Sequence, residues 1–144
     1  MEINKTDELL IEEAIALNNN KLYKEALVIL HGIEPKYKES SMISGLIATA
    51  YYFAKEYKIS TAYYKITTEL NPRSELASLG LFHSLWELKN YRRAYKEMER
   101  FLTSNEANNY KVTIEELYEQ LSKRTPSYQK LIIETYYRKY SQQA

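Results

Sequence analysis

Residues 56–74, EYKISTAYYKITTELNPRS, decide how this chain folds. The stretch opens as an amphipathic helix, carries the doublet Tyr63 and Tyr64, and stops at Asn71-Pro72. Proline lacks a backbone N–H and disfavours the helical region for the residue before it, so the helix ends there. The stretch also has counterparts on both sides. Tyr23, Tyr57 and Tyr91 are spaced by 34 residues, and Ala26, Ser60 and Ala94 keep that spacing. So do Leu30, Tyr64 and Met98, and Leu17, Tyr51 and Leu85. Ala14 and Ala48 share a fifth register, which Phe82 breaks in the third copy. Four registers agreeing over three copies mark an internal repeat, and the period is informative because each common solenoid has its own.

Each copy reads as helix, short break, helix. Thr6, Asp7 and Glu8 read as a cap and an acidic first turn, followed by an apolar stripe at Leu10, Ala14 and Leu17. Asn18 to Asn20 break it, Leu22, Ala26 and Leu30 restart it, and Gly32 and Pro35 end it. In the second copy Ile43, Ile47, Ala50 and Tyr51 form the first helix, residues 54–56 the break, and the opening stretch the second helix. In the third, Ser74 caps a helix through Leu81, Leu85 and Leu88, and residues 91–102 form its partner. Sustained period-two alternation is absent, so no sheet is expected. The period then fails. Residues 103–112 read as a polar connection, Thr113 with Glu116 as a capping box, and Thr125-Pro126 as a cap with proline at the first helical position. That last helix runs to about Tyr140.

Composition narrows the function classes. At 144 residues the chain suits one domain and can bury a core without a metal or disulfide staple. It has no cysteine, which excludes a disulfide framework, Cys-ligated zinc, iron–sulfur clusters and a thiol nucleophile. Its net charge of +1, from 20 basic and 19 acidic residues, creates no global field for nucleic acid or an anionic membrane. Three glycines are too few for a phosphate-cradling loop or a hairpin-rich fold, while 15 tyrosines are many. No apolar run approaches the roughly 20 residues of a spanning helix. The start MEINKTDELL is too acidic for a secretory or transit signal, so a soluble, cytoplasmic protein is expected.

The repeat resembles the tetratricopeptide repeat (TPR) family, whose 34-residue unit prefers W-x2-L-G-x2-Y, then A-x3-F, then P. The second copy matches best, with Ile47-Ala48, Tyr51, Ser60, Tyr64 and Pro72 at those places. The third has Leu81, Leu85, Ala94 and Met98, with Phe82 for the small residue and Glu106 for the proline. The first has Ala14, Leu17, Ala26 and Leu30, with Pro35 three residues early, and Leu10, Ser44 and Ser78 stand where the family has Trp. The resemblance implies an all-α, right-handed alpha-alpha superhelix in a single domain spanning 1–144. Its repeats are expected at about 7–40, 41–74 and 75–106, with a C-terminal capping hairpin at about 113–141. Small residues such as Ala48 and Ser60 let paired helices approach, and large ones such as Tyr51 and Tyr64 fill the gap between pairs.

The family also implies a non-catalytic, protein-binding role, with the first helix of each pair lining a concave groove. Carrying its groove positions across gives Ile11, Ile15 and Asn18 from the first copy. The second gives Met42, Leu46, Thr49 and Tyr52, with Phe53 adjacent; the third gives Leu79, Gly80, His83 and Trp86, with Glu87 adjacent. Such an apolar, aromatic surface suits a helix or an extended peptide. The alternative is that the chain's own C-terminal hairpin covers several of these residues. Family members that bind chaperone tails use a Lys/Asn/Arg clamp for two carboxylates. Ile11, Ile15, Leu46, Leu76 and Gly80 stand at its positions, so an acidic chaperone tail is not expected here.

No catalytic motif is evident, and no cofactor or metal is expected. His31 and His83 lie in different repeats and neither sits in a metal-ligand pattern. Adjacent carboxylates such as Glu12-Glu13 point apart on a helix. Lys123, Arg124, Lys130, Arg138 and Lys139 interleave with Tyr128, Tyr136, Tyr137 and Tyr140, a pattern that fits RNA or, more simply, a solvated last helix with its tyrosines packed inward. The partner expected is another protein, with nucleic acid and membrane not expected. Small stand-alone bacterial members of the family tend to serve one partner, either as an immunity protein against a co-encoded toxin or as a chaperone for a secreted substrate. Residues 77–102 are similar to small repeat proteins of toxin–immunity loci.

Overall fold

The computed structural model describes residues 2–142; Met1, Gln143 and Ala144, at the ends of the expected domain, lie outside them. The described residues form eight α-helices and one 3-10 turn. They run α1 (Lys5–Asn19), α2 (Tyr23–Ile33), the 3-10 turn (Glu34–Lys36), α3 (Ser41–Phe53), α4 (Tyr57–Leu70), α5 (Glu75–Glu87), α6 (Tyr91–Ser104), α7 (Asn109–Glu119) and α8 (Ser127–Ser141). Each helix packs on its hairpin partner, α2 packs on α3, and α4 on α5. Across pairs, α3 meets α5, α5 meets α7 and α6 meets α8. The result is an all-α solenoid of stacked helix pairs, without a strand among the described residues.

Helix ends follow local chemistry in most places. The Ser40 and Ser74 hydroxyls accept the N–H of Ile43 and Ala77, each at 3.2 Å, and so cap α3 and α5. The first three hairpin turns close in one way. Lys21, Lys55 and Lys89, again 34 residues apart, adopt φ of 64°, 64° and 62°. In each, the next residue donates its N–H to the carbonyl five back: Leu22 to Leu17, Glu56 to Tyr51 and Asn90 to Leu85, at 2.8–2.9 Å. This is the Schellman closure, whose left-handed position glycine usually fills.

Three expected starts are corrected. Asn4 rather than Thr6 caps α1: its side chain accepts the Asp7 N–H at 2.8 Å and donates to the Asp7 carboxylate at 3.0 Å. That carboxylate is 2% exposed and also accepts the Tyr37 hydroxyl at 2.5 Å, so Asp7 anchors α1 to the segment after α2. Helix α7 starts at Asn109, not at Thr113, because the Glu75 carboxylate on α5 accepts the N–H of Asn108, Asn109 and Tyr110 at 2.7, 2.8 and 3.1 Å. This tertiary cap shortens the connection to residues 105–108. Pro126 takes the cap position of α8, while the Thr125 hydroxyl accepts the Ser122 N–H at 3.0 Å.

The buried apolar residues divide into two clusters. Ile11, Ala14, Ala26, Leu30, Ile43 and Ile47 belong to one, between α1, α2 and α3. Phe82, Tyr95, Met98, Phe101, Tyr110 and Ile133 belong to the other, which extends to α8. Tyr63 packs against both. Ala14, Ala26, Ala48, Ser60 and Ala94 are all 0% exposed, as helices in close approach require. Buried hydroxyls pair with one another: Ser60 with Ser84 at 2.8 Å and Ser44 with Thr67 at 2.9 Å. Phe82, which breaks the small-residue register, lies edge-on to Tyr95 and Tyr110 and ties α5 to α6 and α7.

Candidate partner-binding groove

The groove is built from the first helices of successive pairs. Between α3 and α5 lies a cavity of about 410 Å³ lined by Met42, Leu46, Thr49, Tyr64, Leu76 and Ala77, with further Ser, Thr and Asn residues and Gly45 completing the wall. No charged residue lines it. Met42 is 47% exposed and Leu76 71% exposed, so its rim presents aliphatic and thioether surface to solvent. Polar atoms inside the wall are satisfied. Tyr64 reaches from α4 to bring its hydroxyl 2.8 Å from that of Thr49, which donates to the Gly45 carbonyl. Burial pushes the Tyr64 phenol above its ordinary value, so it stays neutral.

Gly80 lies against the Tyr64 ring that forms part of this wall. A Cβ built on it would lie 2.3 Å from Tyr64 ring carbons, so α5 approaches that ring at a distance glycine alone permits. This gives a physical reason for the missing clamp residue at position 80: the ring of Tyr64 occupies the space.

The expected site residues fall into five groups. Met42, Leu46 and Thr49 come together on the cavity. Tyr52 and Phe53 form an aromatic group near the hairpin turns, Tyr52 edge-on to Tyr57 and Phe53 stacked on Tyr23 at a centroid distance of 6.0 Å. His83 and Trp86 line a smaller hollow of about 130 Å³ facing Thr113, Glu116 and Leu117 of α7. Trp86 also stacks on Phe82 and meets Tyr91 edge-on at 4.8 Å, so much of it belongs to the core. Burial lowers the His83 pKa, against the pull of Glu116 and the exposed Glu87. Ile11 and Leu79 are buried in the two cores and offer almost no surface. Ile15 is exposed on α1, away from the cavity lining.

Leu76 and Tyr64 line the cavity beyond the residues expected to bind. Leu76 carried a signal, because it stands 34 residues after Met42. The basic, tyrosine-rich last helix has most of its rings packed against other side chains of the protein. Arg92 lies over Tyr128 at 4.3 Å, Tyr137 stacks on Tyr118 at 3.6 Å, and Tyr140 is buried. No cluster of three or more His, Asp or Glu that could hold a metal occurs among the described residues, and none of the helices described is long and apolar enough to cross a membrane.

The chain's fold is similar to that of the Sgt2 TPR domain from Aspergillus fumigatus, solved by crystallography, with a TM-score of 0.64 at 17% sequence identity. The match covers 96% of this chain and 81% of that one, and it makes the architecture a TPR-like helix-pair solenoid. No protein-family model matches the sequence, and no curated protein does.

Proposed function

We propose that the chain is a non-catalytic binding module that holds an apolar segment of a partner protein across α3 and α5. The observation that carries this reading is the uncharged cavity rimmed by the exposed Met42 and Leu76. Exposed apolar surface around a concavity favours association, since burying it on a partner contributes about 25 cal/mol per Å² before the costs of ordering. The neutral wall argues against an acidic tail and for aliphatic or aromatic anchors. Such a surface suits a chaperone or assembly adaptor that holds a client. Neutralisation of a co-encoded toxin rests on the sequence resemblance alone and is the second reading.

The test is co-purification with the product of the neighbouring gene, followed by titration of Met42→Glu and Leu76→Glu. Each is expected to weaken binding roughly tenfold or more, because it buries a charge in an apolar contact. Unchanged affinity in both would overturn the groove as the interface. Parallel Tyr52→Ala and Trp86→Ala variants show whether the interface extends towards α7. For the toxin reading, the neighbouring gene expressed alone must be harmful; a harmless product sinks it.

A further inference from the structure

A second cleft lies on the other side of the solenoid, between α4 and α6, with a volume of about 560 Å³. Its floor is apolar, made by the buried Leu81 and Leu85, and its exposed rim carries Pro72, Lys65, Arg93, Lys96 and Arg100. The Arg100 guanidinium is engaged, donating to the Glu97 carboxylate at 2.7 and 2.9 Å and to the Pro72 carbonyl at 3.2 Å. Glu97 is drawn inward, where it accepts the Ser78 hydroxyl at 2.6 Å. Lys65, Arg93 and Lys96 are exposed and have no ion-pair partner among the described residues, against a single remaining carboxylate, Glu69.

The 34-residue period supplies an internal control. One period earlier, between α2 and α4, His31, Tyr51 and Tyr63 stand where Lys65, Leu85 and Glu97 stand here. There the Tyr51 hydroxyl lies 2.7 Å from the His31 ring and Tyr51 stacks on Tyr63, and beside these rings a cavity of about 450 Å³ remains, lined by Glu34, Pro35, Lys38, Tyr63 and Ile66. At the positions of Arg93, Lys96 and Arg100 that earlier cleft has Ile59, Ala62 and Ile66. The scaffold therefore forms a cleft in both periods and folds without these cations. Ringing the cleft with Arg93, Lys96 and Arg100 is particular to the α4–α6 position.

We propose that the α4–α6 cleft docks an acidic segment of a partner protein, which seats one aliphatic or aromatic side chain on Leu81 and Leu85 while its carboxylates meet Lys65, Arg93 and Lys96. Complementary charge at the rim orients such a segment and the apolar floor anchors it. The cleft is open to solvent along its exposed rim and so does not enclose a small amphiphile, whose site would bury most of its surface. No aromatic side chain lines it, so it offers nothing for bases to stack on. This inference is independent of the groove between α3 and α5.

The experiment titrates the whole protein into a fluorescein-labelled helical peptide with two leucines one turn apart and glutamates on either side. Two control peptides carry lysine for every glutamate or alanine for both leucines. The acidic leucine peptide is expected to bind at micromolar concentration and to weaken with added salt, while both controls bind at least roughly tenfold less well. The surface variant Lys65→Glu/Arg93→Glu/Lys96→Glu, checked by circular dichroism, is expected to lose at least roughly tenfold in affinity, and Leu76→Glu to lose none. No binding at about 100 µM, equal binding of the lysine peptide, or an unchanged triple variant overturns the proposal. Loss on Leu76→Glu would place the peptide in the other groove and overturn it as well. So would dodecanoate or poly(U) binding at this cleft in preference to the peptide.

Discussion

At the scale of single residues, the backbone explains more than side-chain identity suggests. Gly80→Ala would gain about 1 kcal/mol of helix propensity, yet its Cβ would meet the Tyr64 ring at 2.3 Å. Displacing that ring also strains its bond to Thr49. Overpacking of this kind costs about 1–3 kcal/mol, so a net loss of up to about 2 kcal/mol is expected in chemical denaturation. Lys55→Gly has the opposite sign. A non-glycine residue in the left-handed region costs about 1–2 kcal/mol, and glycine returns about 0.5–1 kcal/mol of that as lost chain entropy. A gain of about 0.5–1 kcal/mol is expected, measured as a raised denaturation midpoint. Neither residue was legible in this role. A lysine in a turn does not announce its φ, and a glycine in a helix does not say which ring lies above it.

At the scale of elements, what is local was legible and what is tertiary was not. Pro72 ending α4 and Ser74 capping α5 follow from residues adjacent in sequence, as do the breaks after α3 and α5. The start of α7 depends on Glu75, more than 30 residues away, so a capping box at Thr113 looked adequate by itself. Likewise Asp7 reads as a first-turn acid, which it is, but its further service as a buried acceptor for Tyr37 depends on the fold. The cavity between α3 and α5 was legible in part, because the groove positions carried over from the family resemblance included Met42, Leu46 and Thr49, which line it, whereas Tyr64 entering it from α4 needed the fold. Glu75→Ala removes an acceptor from three N–H groups and is expected to cost about 1 kcal/mol. Hydrogen exchange should quicken first in residues 108–112; unchanged exchange there would show that packing alone holds α7.

At the scale of the whole molecule, ionisation sets the pH limits of the fold. The Tyr37 hydroxyl holds the Asp7 carboxyl below its ordinary value, outweighing desolvation, with help from Lys36 and Asn4. A lowered folded pKa contributes stability above the unfolded value, near 3.9, and loses it as pH falls through the folded one. Asp7→Asn should therefore be less stable than the parent at neutral pH, with the gap narrowing in acid, as thermal unfolding at several pH values can show. Phenols act at the other limit. Burial pushes Tyr63 and Tyr140 up to about 12, with a contribution at Tyr63 from the nearby Glu34 carboxylate, and raises Tyr95 and Tyr110 as well. Raised folded pKa values leave stability intact below about pH 10 and erode it from there upward. Absorbance near 295 nm should show these phenols ionising together with unfolding rather than before it.

The division of the core into two clusters has a spectroscopic consequence. Trp86 is the chain's one tryptophan, and it packs against the cluster shared by α5, α6 and α7. Its emission therefore reports on that half alone, while far-ultraviolet ellipticity averages over every helix. Repeat architectures couple mainly through neighbours, so their halves can melt at different points. If the seam at Tyr63 is the weak coupling, the two signals will trace separate unfolding curves, and a Tyr63→Ala substitution will drive them further apart.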